Sequence, residues 1–152
     1  MRNGMRCAGL ACLLTLLAAP LWAAGSATVT VSAPRADASG ARHLAYTVAW
    51  TSDASGDVSG HAFTVQPGKL VSVRMTPGGG AAQPTDLYDV TLSDGDVADI
   101  LAGAAVDRSN SASSLLQWDP TLWQDGSRAL DLVVAHAGDS NTGTVVILVQ
   151  IQ

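Results

Sequence analysis

An all-β fold, a single antiparallel β-sandwich of about seven or eight short strands, is what this sequence predicts. Three observations predict it. All 13 acidic residues are Asp, there is no Glu, and Lys69 is the one lysine, so the residues that normally cover the surface of long helices are missing. Apolar side chains recur at every second position in several short runs, the period of a half-buried strand. Turn-forming groups rich in Gly, Pro, Asp and Ser separate those runs.

Taken in order, Val29 and Val31 open the pattern, and Leu44, Tyr46, Val48 and Trp50 then alternate with Ala45, Thr47 and Ala49. His61/Phe63/Val65, Val71/Val73/Met75, Tyr88/Val90/Leu92 and Leu130/Leu132/Val134 repeat the period. The stretch "GTVVILVQIQ" is apolar on both faces from Val145 to Val149, which marks a strand that is central or covered by a neighbour; Val146 and Leu148 are its candidate contact residues. Turns are written by "DASG" at 37–40 and again at 53–56, "QPGK" at 66–69, "TPGGGAAQP" at 76–84, "SDGD" at 93–96 and "AGDSNTG" at 137–143. Val97, Ile100 and Leu101 lie at helical offsets, so at most one short helical turn is expected near 96–102. The segment 108–127 reads as a long loop with a short strand around Leu115 to Trp118. Alternation leaves both an Ig-like and a jelly-roll-like strand order open.

Residues 1–24 read as a secretory signal peptide: Arg2 and Arg6, then the uncharged "CAGLACLLTLLAAPLW", then the small residues Ala23, Ala24, Gly25, Ser26 and Ala27. Trp22 suits a cut after Ala24 poorly, and cuts after Ala23 or Gly25 fit better. Pro20 breaks the run short of the roughly 20 residues of a spanning helix, and Gly9-Leu10-Ala11 before Cys12 does not make a lipoprotein signal. The expectation is export to the periplasm or medium with no membrane anchor, leaving 25–152 as one domain. Both cysteines, Cys7 and Cys12, lie in the leader, so disulfides play no part in the remaining chain. Of the 8 basic and 13 acidic residues, Arg2 and Arg6 leave with the leader, giving 6 − 13 = −7. That balance excludes nucleic acid, whose phosphates demand Lys/Arg patches.

"TDLYDVTLSDGDVADILAG" sets five aspartates in an apolar frame. Counting from Asp94, an EF-hand would need Gly at the sixth place and Glu at the twelfth, where Asp99 and Ala105 stand. Asp94, Asp96 and Asp99 therefore remain only weak calcium candidates. The simpler expectation has Asp94 starting a turn with Gly95 and Asp96 capping the helical turn. His43, His61 and His136 fall on separate strands without zinc spacing, and no G-x-S-x-G elbow occurs. His136, in phase with Leu132 and Val134, is expected to be a buried or half-buried structural residue. The chain is read as a non-enzyme without a cofactor. Trp118 and Trp123, in the irregular "QWDPTLWQDG", are candidates for an interaction surface.

Across nearly all of 25–152, "QPTDLYDVTL", "ADILAGAAVDRS", "AHAGDSNTG" and "GTVVILVQ" occur in an order that resembles a group of short structural proteins of tailed phages and prophages. Their shared pattern is an "aPTDxYDVTLxDxxGxDxLxGxGxxR" core, an "xxAG" turn and a "GTVxLYxR"-like final strand. The final tyrosine and basic residue of that pattern are absent here, and a leader is not a feature of virion assembly. The resemblance implies a small sandwich that decorates a capsid or joins a tail or fibre, with other virion proteins or copies of itself as partners. Recruitment of the sandwich as an exported binding or adhesion module is the alternative, and a calcium-dependent glycan hydrolase a more distant one.

Overall fold

The computed structural model describes residues 25–117 and 127–151. Nine strands follow one another: β1 (Ser26–Val31), β2 (Arg35–Ala36), β3 (Arg42–Thr51), β4 (Val58–Val65), β5 (Lys69–Pro77), β6 (Asp89–Ser93), β7 (Ser114–Gln117), β8 (Arg128–Ala135) and β9 (Thr142–Ile151). They form two antiparallel sheets, the larger ordered β1-β3-β9-β5-β7 with β2 also on β3, the smaller β4-β8-β6. The pairs nest: β3 with β9, β4 with β8, and β5 with β7. A fourth pair joins β6 to residues 99–108, where Ile100 and Val90 donate their N–H groups to the carbonyls of Leu92 and Ala105, and Arg108 to that of Tyr88. This wrapping is the jelly-roll order of two stacked sheets, and it decides between the two sandwiches the sequence left open.

The alternation maps onto the interior as expected. Leu44, Tyr46, Val48 and Trp50 of β3 pack against Val58 and Val65 of β4, Val90 and Leu92 of β6, and Leu130, Leu132 and Val134 of β8 in one continuous core. Burying a Val, Leu or Tyr side chain of this kind contributes about 1.5–3 kcal/mol. The core is sealed from β9 by Val145, Ile147 and Val149, all at most 1 % exposed.

The structure refines or corrects three expectations. The ladder of β5 slips between Leu70 and Ser72, so Leu70 and not Val71 joins Val73 and Met75 in the core. Residues 96–102 form turns and no helix; the one helical piece among the described residues is a 3-10 turn at Gly80–Ala82, within the segment read as a plain loop. His136 lies beyond the end of β8, where its backbone adopts φ 62° and turns the side chain out to solvent, 75 % exposed.

The sheet edges are blunted against strand addition, as soluble sheets require. Pro34 separates β1 from β2 along one edge. A bulge between Val58 and His61, with Gly60 at φ 71°, bends β4. The 99–108 segment covers β6.

Candidate interaction surface

Register determines which side chains of the larger sheet face outward. Pairing of Ser26 with Thr51, Thr28 with Ala49 and Thr30 with Thr47 carries β1 onto β3. Thr51, Ala49, Thr47, Ala45 and His43 continue to Thr142, Thr144, Val146, Leu148 and Gln150 of β9. Thr144, Val146 and Leu148 pair in turn with Thr76, Arg74 and Ser72 of β5, and Arg74 with Leu115 of β7. The result is a face of threonine, alanine and valine with Arg74 as the charged side chain near its middle. Val146 and Leu148 stand at its centre, half-buried, with Leu115 47 % exposed toward one side.

Among the described residues, no strand of the larger sheet contains an aspartate, although the whole chain has 13. Apart from Arg74, the charges sit at the two ends. At one, Arg35, Arg42 and Lys69 stand beside His43, whose ring lies 3.9 Å from Asp37. Asp37 is held below the ordinary carboxylate range first by the Ser39 hydroxyl, with backbone N–H groups and His43 adding to it against a smaller cost of burial. At the other end, Asp53 and Asp57 follow β3, and Asp139 precedes β9.

That acidic end is tied together by hydrogen bonds. The Ser52 side chain, 4 % exposed, donates to the Gly138 carbonyl and accepts from the Asn141 N–H at 3.0 Å. His136 meets Asp89 at 3.1 Å and donates its backbone N–H to Asp57. Asp89 also accepts from the Asp107 N–H, and Asp86 from that of Asn110. Beneath them Tyr88 packs on Trp50 with ring centroids 5.9 Å apart; burial raises its phenol pKa, partly opposed by Arg108. Beside this end, Ser26, Thr28, Thr51, Thr76, Thr142 and Thr144 line a shallow groove of about 480 Å³ with Trp50 and Gly143 among its walls.

The calcium candidates are engaged otherwise. Asp94, with its side chain 3 % exposed, accepts from the N–H groups of Asp96 (3.1 Å) and Val97 (2.8 Å) and from the Arg128 guanidinium. Burial pushes its carboxyl up, but those two N–H groups and Arg128 outweigh it and hold it below the ordinary value. Asp99 accepts from Leu101, Gly103 and, at 3.4 Å, Leu92. Asp96 does not cap anything: its carboxylate is 87 % exposed, 3.8 Å from Arg128. The turns are held instead by Asp94 and Asp99, each of which reaches forward to N–H groups two to four residues on.

Among the described residues, no three His, Cys, Asp or Glu side chains converge as metal ligands. On the smaller sheet, Asp131 lies in register with Ala62 and Ser93, and its Oδ1 has no hydrogen-bond partner among the described residues. Trp118 and Trp123 lie outside the described residues. The outer face as a whole escaped the sequence reading, which saw Val146 and Leu148 but could not know which strands would flank them.

No family model, curated protein or solved structure matches this chain.

Proposed function

We propose that this protein is a non-enzymatic structural subunit, a virion accessory protein of the capsid-decoration, tail or fibre kind, that packs against its neighbours through the outer face of its larger sheet. The observation that carries the reading is the absence of aspartate, among the described residues, from the strands of that sheet in an acidic chain. A face made mostly of short side chains loses little rotamer entropy on contact, and keeping carboxylates off it lowers the desolvation cost of covering it. Blunted edges leave face packing as the open route to assembly.

The phage-like segments support the same reading. "PTDLYDVTL" is the approach to β6 and β6 itself, "ADILAGAAVDRS" the segment covering that strand, "AHAG" the turn after β8, and "GTVVILVQ" most of β9. Asp86, Asp89 and Asp99 in them accept hydrogen bonds from backbone N–H groups, a use of carboxylates that supports a scaffold role for these segments.

Mass spectrometry of purified particles, periplasm and medium from the source culture tests the proposal. Stoichiometric abundance in the particle fraction is expected. Confinement to periplasm or medium, with a first residue near Ala24, would refute it and favour an exported binding module, the reading that the hydroxyl-lined groove beside Trp50 supports.

A further inference from the structure

We propose that the leader is removed by a cut after Ala23, so that Gly25 stays in the mature chain, where it is the wedge that lets β1 close onto β4. The inference rests on the reading of residues 1–24 as an export signal, and it goes beyond the proposed function because it concerns processing and not destination. Two bonds suit a small-residue cut, the one after Ala23 and the one after Gly25. They differ in whether Gly25 survives.

Packing decides between them. Gly25 leads into β1 one residue before the Ser26–Thr51 pair, and there it lies against the backbone of Asp57 and Val58, where the chain enters β4. A Cβ on Gly25 would overlap the Asp57 carbonyl oxygen and would stand 2.9 Å from the Val58 Cα and 3.1 Å from the Asp57 carbonyl carbon, against about 3.5–4.0 Å for relaxed carbon contacts. All three atoms are backbone, so no change of rotamer relieves the overlap. Nor is Gly25 among the residues with positive φ, so what the position demands is room and not a left-handed turn.

The opposing backbone is held from its other side. Asp57 donates its N–H to the Asp53 carboxylate at 2.9 Å and accepts the His136 N–H at 3.2 Å, while Val58 is 0 % exposed and part of the core. A cut after Gly25 asks only for a small residue, which alanine would satisfy as well. The folded domain asks for glycine. A chain beginning at Ser26 would leave the Asp57–Val58 backbone without that cover.

The intact mass and N-terminal peptide of the protein purified from the source culture test the bond, and Gly25→Val in the full chain tests the wedge. Wild-type protein should begin at Ala24. Valine is too large for the residue before a cut, so the variant should still be processed to a chain beginning at Ala24, with Tm lower by about 3–10 °C. A wild-type first residue of Gly25, Ser26 or Met1 overturns the inference, and this holds even where the valine variant fails to fold. Loss of processing in the variant overturns it too, since that would place residue 25 before the cut, as does a processed variant of unchanged Tm. An unprocessed chain in particles would sink this inference and leave the proposed function standing; a chain beginning at Ala24 but confined to periplasm or medium would do the reverse.

Discussion

Adding one methyl group at Gly143 should destabilise the sandwich, and the cost can be worked from the geometry. Gly143 pairs with Trp50 across the β3/β9 ladder. A Cβ there would lie 2.4 Å from Cζ2, 2.7 Å from Cε2 and 3.0 Å from Nε1 of the indole, against about 3.5–4.0 Å for relaxed carbon contacts. The ring would have to move by about 1 Å, yet it is 3 % exposed and leans on Tyr88. Overpacking of this kind costs about 1–3 kcal/mol, and the stiffer unfolded chain of an alanine variant returns about 0.4–1 kcal/mol. Gly143→Ala should therefore lose about 1–2 kcal/mol, roughly 3–10 °C in Tm for a domain of this size. Urea unfolding followed by far-UV circular dichroism measures it. In a Trp50→Leu background the same substitution should cost almost nothing. Equal costs in both backgrounds would refute the claim that the indole is what Gly143 accommodates.

Other outcomes follow from the loops. Asp94→Ala should cost about 2 kcal/mol, since it removes the turn acceptor of two backbone N–H groups and the partner of Arg128, whereas Asp96→Ala should stay within about 0.5 kcal/mol; chemical denaturation separates the two. Because the Asp94 pKa lies below 3.8 in the folded protein, the unfolded chain takes up that proton first as pH falls. Its contribution is complete above the unfolded value and is lost as pH drops through the folded one, so Asp94→Asn should flatten the acid limb of a plot of stability against pH. Added calcium should leave Tm unchanged, and a rise abolished by Asp99→Asn would reinstate the cation site. Ser52→Ala should cost about 1–3 kcal/mol by leaving buried loop groups unpaired, visible as a lower Tm; a neutral effect would mean that water replaces the hydroxyl.

What could be read in the sequence was whatever short-range pattern encodes. The alternation in β3 and β8 located their buried faces because each apolar residue there sits two places from the next. In β5, Leu70 and Val71 are adjacent and both apolar, so periodicity could not say which entered the core once a bulge intervened. His136 continued the phase of β8, but the strand ends at Ala135 and a left-handed residue reverses the chain. Among the aspartates, the "DG" pair marked Asp94 as a turn residue, and its Oδ1 holds that turn by reaching the N–H groups of both Asp96 and Val97, which leaves no helix start for Asp96 to cap. The candidate surface was least legible. Its makeup depends on β9 lying between β3 and β5, a pairing between residues about a hundred positions apart that no local window contains.

That insertion of β9 has a consequence for biosynthesis. During translation β3 and β5 emerge with no strand between them, each exposing a row of unpaired N–H and C=O groups toward the place β9 will take. The larger sheet cannot close until residues 142–151 have been made and have cleared the ribosome. Folding must then be a late event dominated by distant contacts, which makes it slow and leaves a nascent chain with open edges to the care of chaperones. A message cut short before codon 142 would yield a chain with neither a finished sheet nor a sealed core, and proteases would find it.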